Sequence, residues 1–236
     1  MRVLAHCSRD SNLLAIFKDS RGDVYKLVAS KLLQKNVDSI GKTERQLAKQ
    51  VALGIIYGMG NKELAKRFGI SDAQAGKFID CFFRQFPQVK KWSTSVKAKA
   101  YLDGFITTIA GRRRQIVLLR KGDWAEKARC DRQIVNSIIQ GSASDILKVA
   151  TIRIHDCIYK SYKERTTAHV PRLLVQVHDE LIWESDTAFA STLIECIRDS
   201  MENLPVKMFQ FQCPLAVTVS WGPKWGAMVP YSDRNN

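Results

Sequence analysis

His178, Asp179 and Glu180 stand in a row between two apolar runs of strand character, 173–177 and 181–183. The pattern predicts a β-hairpin carrying two adjacent carboxylates at its bend. Polar groups at a strand end are held stiffly yet stay open to solvent and substrate. Their oxygens suit hard cations such as Mg²⁺, which takes one or two protein carboxylates and completes its shell with water and substrate phosphate. An ordinary solvated turn is the alternative, because Asp is common at turns for its own backbone bonding.

Two other segments carry polar side chains at helical spacing. Arg45, Lys49, Leu53 and Tyr57 recur every fourth residue and would line one slowly drifting stripe of a helix. The two cations could hold a triphosphate, and the tyrosine ring could receive a stacked base. A solvated amphipathic face is the plainer alternative. Gly54 and Gly58 weigh against it, since glycine inside a helix costs about 1 kcal/mol relative to alanine and points to a close approach or a hinge. Arg132, Asn136 and Gln140 repeat the same spacing. All three are donors, and Asn and Gln also accept, which suits sugar and base edges in a minor groove. Surface hydrogen bonding would explain either amide alone. It does not explain both stripes together with the hairpin.

The elements that must position these residues follow from periodicity. Residues 1–20 read as the end of a strand passing into a short helix, and 22–35 and 43–59 as helices, the second with Thr43 as N-cap and Gly58-Met-Gly60 as its end. Two or three helices fit 61–103, broken near Gly69 and Pro87; a turn at Asp103-Gly104 leads into a β-like run at 105–109. A long helix fits 124–163, followed by the hairpin, a helix at about 186–203 and a strand-like run at 215–220. The expected class is helix-rich α+β, with one sheet assembled from strands near both ends of the chain.

Composition narrows the partners. The 37 Lys and Arg outnumber the 23 Asp and Glu by 14, an excess that attracts polyanions and makes binding salt-dependent. No apolar stretch approaches the roughly 20 residues that span a bilayer, so no membrane partner is expected. The six cysteines (Cys7, Cys81, Cys130, Cys157, Cys196 and Cys213) show no C-x-x-C pair and no zinc spacing, and read as reduced thiols of an intracellular protein.

With these motifs in order, the chain resembles family A DNA polymerases, the group of bacterial DNA polymerase I. The first stripe matches R-x3-K-x7-Y-G, the second R-x3-N-x3-Q-G-[ST]-A-x-D, and the hairpin V-x-V-H-D-E. The spellings Gly54-Ile-Ile-Tyr57-Gly-Met-Gly60, Gly111-Arg-Arg-Arg114 and Ser220-Trp221-Gly222 are most similar to DNA polymerase theta and its relatives. The resemblance runs from Arg2 to about Trp225. It implies a partial right-hand polymerase fold of fingers plus incomplete palm, without a thumb: a palm remnant over 1–20, fingers over 21–122 and palm over 123–236. It further implies two-metal nucleotidyl transfer from a dNTP to a primer 3′-hydroxyl in DNA repair or replication, with two Mg²⁺ ions, primer–template DNA and dNTPs as ligands, and a nuclear location. Arg45, Lys49 and Tyr57 would bind the dNTP; Arg2, Arg132, Asn136, Gln140 and His178 would contact DNA; Asp179 would ligate metal and Glu180 support catalysis.

Three departures stand out. Arg2-Val-Leu-Ala-His6 matches the tail of the first palm motif, D-x-S-x-x-E-[LM]-R-x-x-A-H, so the chain starts after that motif's metal-binding Asp. The expectation is that this polypeptide alone is inactive or nearly so. Asp10, Asp19 and Asp23 do not match the missing motif and are not taken as ligands. Leu53 stands where the family shows Phe or Tyr, and Tyr25 where bacterial relatives place His. Two other readings remain: a non-catalytic DNA-binding remnant, and a helix-turn-helix regulator suggested by the rhythm from Glu63 to Ile79. In the latter, Phe78, Ile79, Phe82 and Phe83 would demand burial where a major-groove reader presents polar side chains.

Overall fold

A computed structural model describes residues 1–19, 23–116, 124–162 and 170–231. The chain divides into two compact units, Met1–Ala143 and Ser144–Asn236. The domain boundaries expected at 20/21 and 122/123, and the last residue of the helix expected to reach 163, lie outside the described residues.

In the first unit, helices α1 (Arg2–Ser8), α2 (Ser11–Lys18), α3 (Val24–Leu33), α4 (Lys42–Ile56), α5 (Asn61–Phe68), α6 (Asp72–Gln85) and α7 (Pro87–Asp103) precede strands β1 (Phe105–Thr107) and β2 (Arg113–Gln115). The opening residues form α1 rather than the expected strand end. A short apolar run cannot by itself separate a buried helix from a strand, and here Leu4 and Ala5 are buried in a helix that packs on α7. Asp10 caps α2, accepting from the Leu13 N–H (3.0 Å), and its other oxygen accepts from the Gln88 N–H at the start of α7 (2.9 Å). This carboxylate is 1% exposed and joins the start of α2 to the start of α7. The α4 cap is Gly41, not Thr43: Glu44 reaches back to the Gly41 N–H (3.0 Å) and also binds Lys35, which starts the helix at Lys42. Ser71 and Gln74 form a capping box for α6, and Pro87 occupies the first turn of α7. Phe82 of α6 is buried with edge-on contacts to Phe83 and Phe86. Of the four residues expected to demand burial, Phe82 alone is fully buried, while Phe78, Ile79 and Phe83 are half-buried.

Helix α8 (Trp124–Tyr162) has residues in both units. In the first, its Ile134 and Ile138 share a core with Ile106 of β1 and Ala100 of α7.

The second unit contains β3 (Arg172–Val177), β4 (Glu180–Glu184), a 3₁₀ turn at Thr187–Phe189, α9 (Ala190–Arg198), a π-helical turn at Asp199–Asn203, α10 (Leu204–Phe209), β5 (Ser220–Trp221) and β6 (Val229–Pro230). Ile154 and Ile158 of α8 pack with Phe189 and Leu193, and Leu181 and Trp183 of β4 lie against them. The hairpin is thus backed by a helical core. The expected single sheet is not formed among the described residues: β1–β2, β3–β4 and β5–β6 are three separate antiparallel pairs. Residues 215–219 keep the burial alternation of a strand but lack a ladder. Instead the Val217 N–H donates to Glu202 (2.7 Å) and the Val219 carbonyl accepts from the Tyr231 N–H (2.9 Å). Strand-like composition records fit to a pleated surface, not the existence of a partner strand.

Cys157 of α8 and Cys196 of α9 are disulfide-bonded across 39 residues of sequence. This corrects the expectation of six reduced thiols; pairing across such a separation depends on helix packing and has no local spacing signature. Cys7, Cys81, Cys130 and Cys213 form no disulfide among the described residues. In the chain-entropy account, closing a loop of this length stabilises by roughly 3–4 kcal/mol. Cys157→Ala is therefore expected to lower the thermal midpoint by several degrees, and added reductant to lower the wild type equally while leaving the variant unchanged.

Candidate functional site

The hairpin places its polar residues at an open turn. Val177 pairs with Glu180, so His178 and Asp179 alone make the two-residue connection and Glu180 opens β4. The expected pair of carboxylates at the bend is thus one carboxylate in the turn and one on the strand. His178 adopts φ +54°, a left-handed conformation that tight hairpins require, and its carbonyl accepts from Gln176 Nε2 (3.2 Å). A register shift between Leu173 and Val175 marks a bulge in β3. His178, Asp179 and Glu180 are all exposed. Among the described residues no group of three or more His, Cys, Asp or Glu could hold a metal ion. A ligand set of one or two carboxylates still fits Mg²⁺, which keeps several waters and shares substrate oxygens.

Arg45 and Lys49 share a face of α4 that lies against α3. Arg45 Nε donates to Asp23 Oδ2 (2.6 Å), while Asp23 Oδ1 caps α3 by accepting from the Tyr25 N–H (2.9 Å) and the Lys26 N–H (3.1 Å). Partial burial pushes the Asp23 carboxyl up, but the Arg45 bond, the two N–H bonds and the Arg45 charge outweigh it and hold it below the ordinary range. The Tyr25 ring lies 5.5 Å from the Arg45 guanidinium carbon and 5.9 Å from Lys49 Nζ. Asp23, set aside as a metal ligand, and Tyr25, noted only as a departure, are both part of this site. The signal that could have found them is the opposite charge and aromatic ring two residues apart at the start of the preceding helix.

Tyr57 caps α4, and Gly58 follows at φ +79° while the Met59 N–H returns to the Gly54 carbonyl (2.9 Å). A Cβ on Gly58 would fall 2.9 Å from Arg132 Cγ. The first stripe thereby ends directly on the start of the second. Tyr57, Gly58, Ile79, Phe83, Lys97 and Arg132 line part of a cavity of about 170 Å³ behind the tyrosine. Gly58→Ala combines a disfavoured backbone conformation with this close approach, and is expected to destabilise by about 1–3 kcal/mol. Differential scanning calorimetry would read it as a lower midpoint; an unchanged midpoint would contradict the contact.

Arg132 and Asn136 are half-buried on α8, and Gln140 is exposed. The Asn136 carbonyl oxygen is buried and has no hydrogen-bond donor among the described residues. The β1–β2 hairpin sits beside this stripe. Arg112 Nη2 donates to the Gly141 carbonyl (3.2 Å), Arg114 Nη1 donates to Ser137 Oγ, and Ser142 Oγ accepts from the Ile109 N–H (2.9 Å). Arg112 and Arg114 were not singled out as site residues from sequence, although their Gly-Arg-Arg-Arg spelling was visible. Lys97 Nζ (3.5 Å) and Tyr101 Oη (2.7 Å) engage the Asp131 carboxylate next to Arg132. Arg2 lies in α1 with its guanidinium carbon 4.7 Å from the Phe17 ring centroid. The candidate residues thus fall into a cationic group in the first unit and a carboxylate hairpin in the second.

Known proteins share this chain's sequence and fold. DNA polymerase I of Chloroflexus aurantiacus is 34% identical over 98% of the chain, and DNA polymerase theta of Drosophila melanogaster is 34% identical over 96% of it. The theta-like spellings therefore do not separate the chain from the polymerase I relatives. The solved POL domain of Pol1 from M. smegmatis, in complex with DNA primer–template and dNTP, matches 95% of the chain with a TM-score of 0.86 and 31% identity. The chain spans 23% of the Chloroflexus protein, 11% of the Drosophila protein and 38% of the solved chain. The sequence profile of DNA polymerase family A covers residues 1–227; the chain belongs to DNA polymerase family A.

Proposed function

We propose that these residues serve DNA-templated DNA synthesis, the transfer of a nucleotidyl group from a dNTP to a primer 3′-hydroxyl, in DNA repair or replication. The observation that carries the reading is the cationic face of Arg45 and Lys49, ended by Tyr57 and abutting Arg132 through Gly58. Membership of family A and the fold shared with a solved polymerase domain support it.

In this reading the 3′-oxygen attacks the α-phosphorus in line. The new P–O bond forms as the bond to pyrophosphate breaks, and the hydroxyl proton passes to solvent water. Arg45 and Lys49 hold the triphosphate and offset charge that accumulates on pyrophosphate. Tyr57 lies against the templating pair, and closure of the fingers over a correctly shaped pair supplies selectivity. Arg132, Asn136 and Gln140 follow the minor groove, with Arg2 as a further DNA contact. His178 stands near the primer terminus. Asp179 would hold Mg²⁺ and Glu180 support it, the ions supplying activation of the 3′-hydroxyl and neutralisation of the leaving group when bound.

Fluorescence anisotropy with three DNAs tests the reading. A primer–template junction is expected to bind at least about tenfold more tightly than blunt duplex, with affinity falling as salt rises. Equal affinity for junction and blunt duplex, or preference for a palindromic duplex, would overturn it.

A further inference from the structure

The two cations on α4 are not held by α4 alone. Lys49 stands four positions after Arg45, so the two side chains neighbour each other on one face of the helix and repel each other. On the facing helix α3, Tyr25 is half-buried and presents one ring to both, at 5.5 Å and 5.9 Å. Asp23 grips Arg45 by its Nε edge at 2.6 Å. A planar guanidinium bound through Nε still carries its terminal N–H groups, which can address phosphate oxygens.

We infer that Tyr25 is a positioning residue, its ring serving as the shared platform on which Arg45 and Lys49 are set to receive a triphosphate. This rests on the triphosphate-binding reading of α4. A cation over an aromatic face is attracted by the ring quadrupole, so the ring offsets their mutual repulsion without adding a carboxylate that would oppose an anion. Burial first, and the neighbouring Tyr57 next, push the Tyr25 hydroxyl above its ordinary value against the opposing Arg45 charge. The ring therefore stays neutral throughout the neutral range and the platform does not titrate away. An ordinary packing contact between two helices would also bring a ring beside cations. It would not make polyphosphate affinity depend on the ring.

Isothermal titration calorimetry with inorganic tripolyphosphate separates the cases. The wild type is expected to bind, Arg45→Ala to bind far more weakly, Tyr25→Leu to bind roughly five- to tenfold more weakly, and Tyr25→Phe to match the wild type. Tyr25→Met fills the position without a ring and should behave as Leu does, with thermal midpoints measured for every variant. Wild-type affinity in a folded Tyr25→Leu or Tyr25→Met would overturn the platform while leaving the triphosphate reading intact. Loss in Tyr25→Phe equal to that in Leu would also overturn it, by assigning the effect to the hydroxyl. No binding by the wild type, or no effect of Arg45→Ala, would overturn both.

Discussion

In a polymerase chain that carries both palm motifs, Asp179→Ala is expected to slow templated single-nucleotide incorporation at least about a thousandfold, equivalent to about 4 kcal/mol of lost transition-state stabilisation. Asp179 is the exposed carboxylate of the two-residue turn, and the β3–β4 ladder on either side does not depend on its side chain. Removing it takes away an oxygen ligand suited to a hard cation while leaving the backbone that presents it. Because exposed substitutions change stability within about 0.5 kcal/mol, the thermal midpoint should hold. Rapid-quench incorporation at saturating dNTP and Mg²⁺ reads the rate. A variant within tenfold of wild type would sink the assignment of Asp179 as metal ligand. Glu180→Ala should cost less, since its carboxylate stands on the strand next to the turn.

Phe82→Ala should lower folding stability by about 3–5 kcal/mol, because a buried aromatic side chain leaves a cavity its neighbours fill only in part. The ring is 1% exposed and makes edge contacts with Phe83 at 5.6 Å and Phe86 at 5.1 Å. Its helix packs against α3 and α4, so the loss reaches the elements that carry Tyr25, Arg45 and Lys49. Urea titration reads the effect as a lower midpoint with unchanged slope. Leu102→Ala, at an 86% exposed position, supplies the contrast and should shift the midpoint by no more than about 0.5 kcal/mol. A small shift for Phe82→Ala would mean that α6 is not the core element described.

Family and most element types were legible in the chain itself. The four-residue spacing of Arg45, Lys49 and Tyr57, the parallel spacing of Arg132, Asn136 and Gln140, and the alternation around His178 are local properties. Helix and strand periodicities turn such spacing directly into shared faces. Gly69, Pro87 and Gly58 likewise marked the breaks between helices, because their backbone limits act within a residue or two. Local pattern failed where two states cost nearly the same until something distant packs on them. The 2–8 segment became a helix against α7, and 215–219 found no ladder although its composition suited one.

Tertiary structure alone decided the rest. It joined Cys157 to Cys196, set Gly58 on Arg132, and placed the β1–β2 arginines beside Ser137 and Gly141. It also gave Arg45 its partners, Asp23 and Tyr25, from a different helix. Each of these is a contact between residues far apart in the chain, chosen by how helices and hairpins pack, and no period of two or four residues encodes it. The sequence by itself determined which side chains share a face; the packing decided what those faces meet.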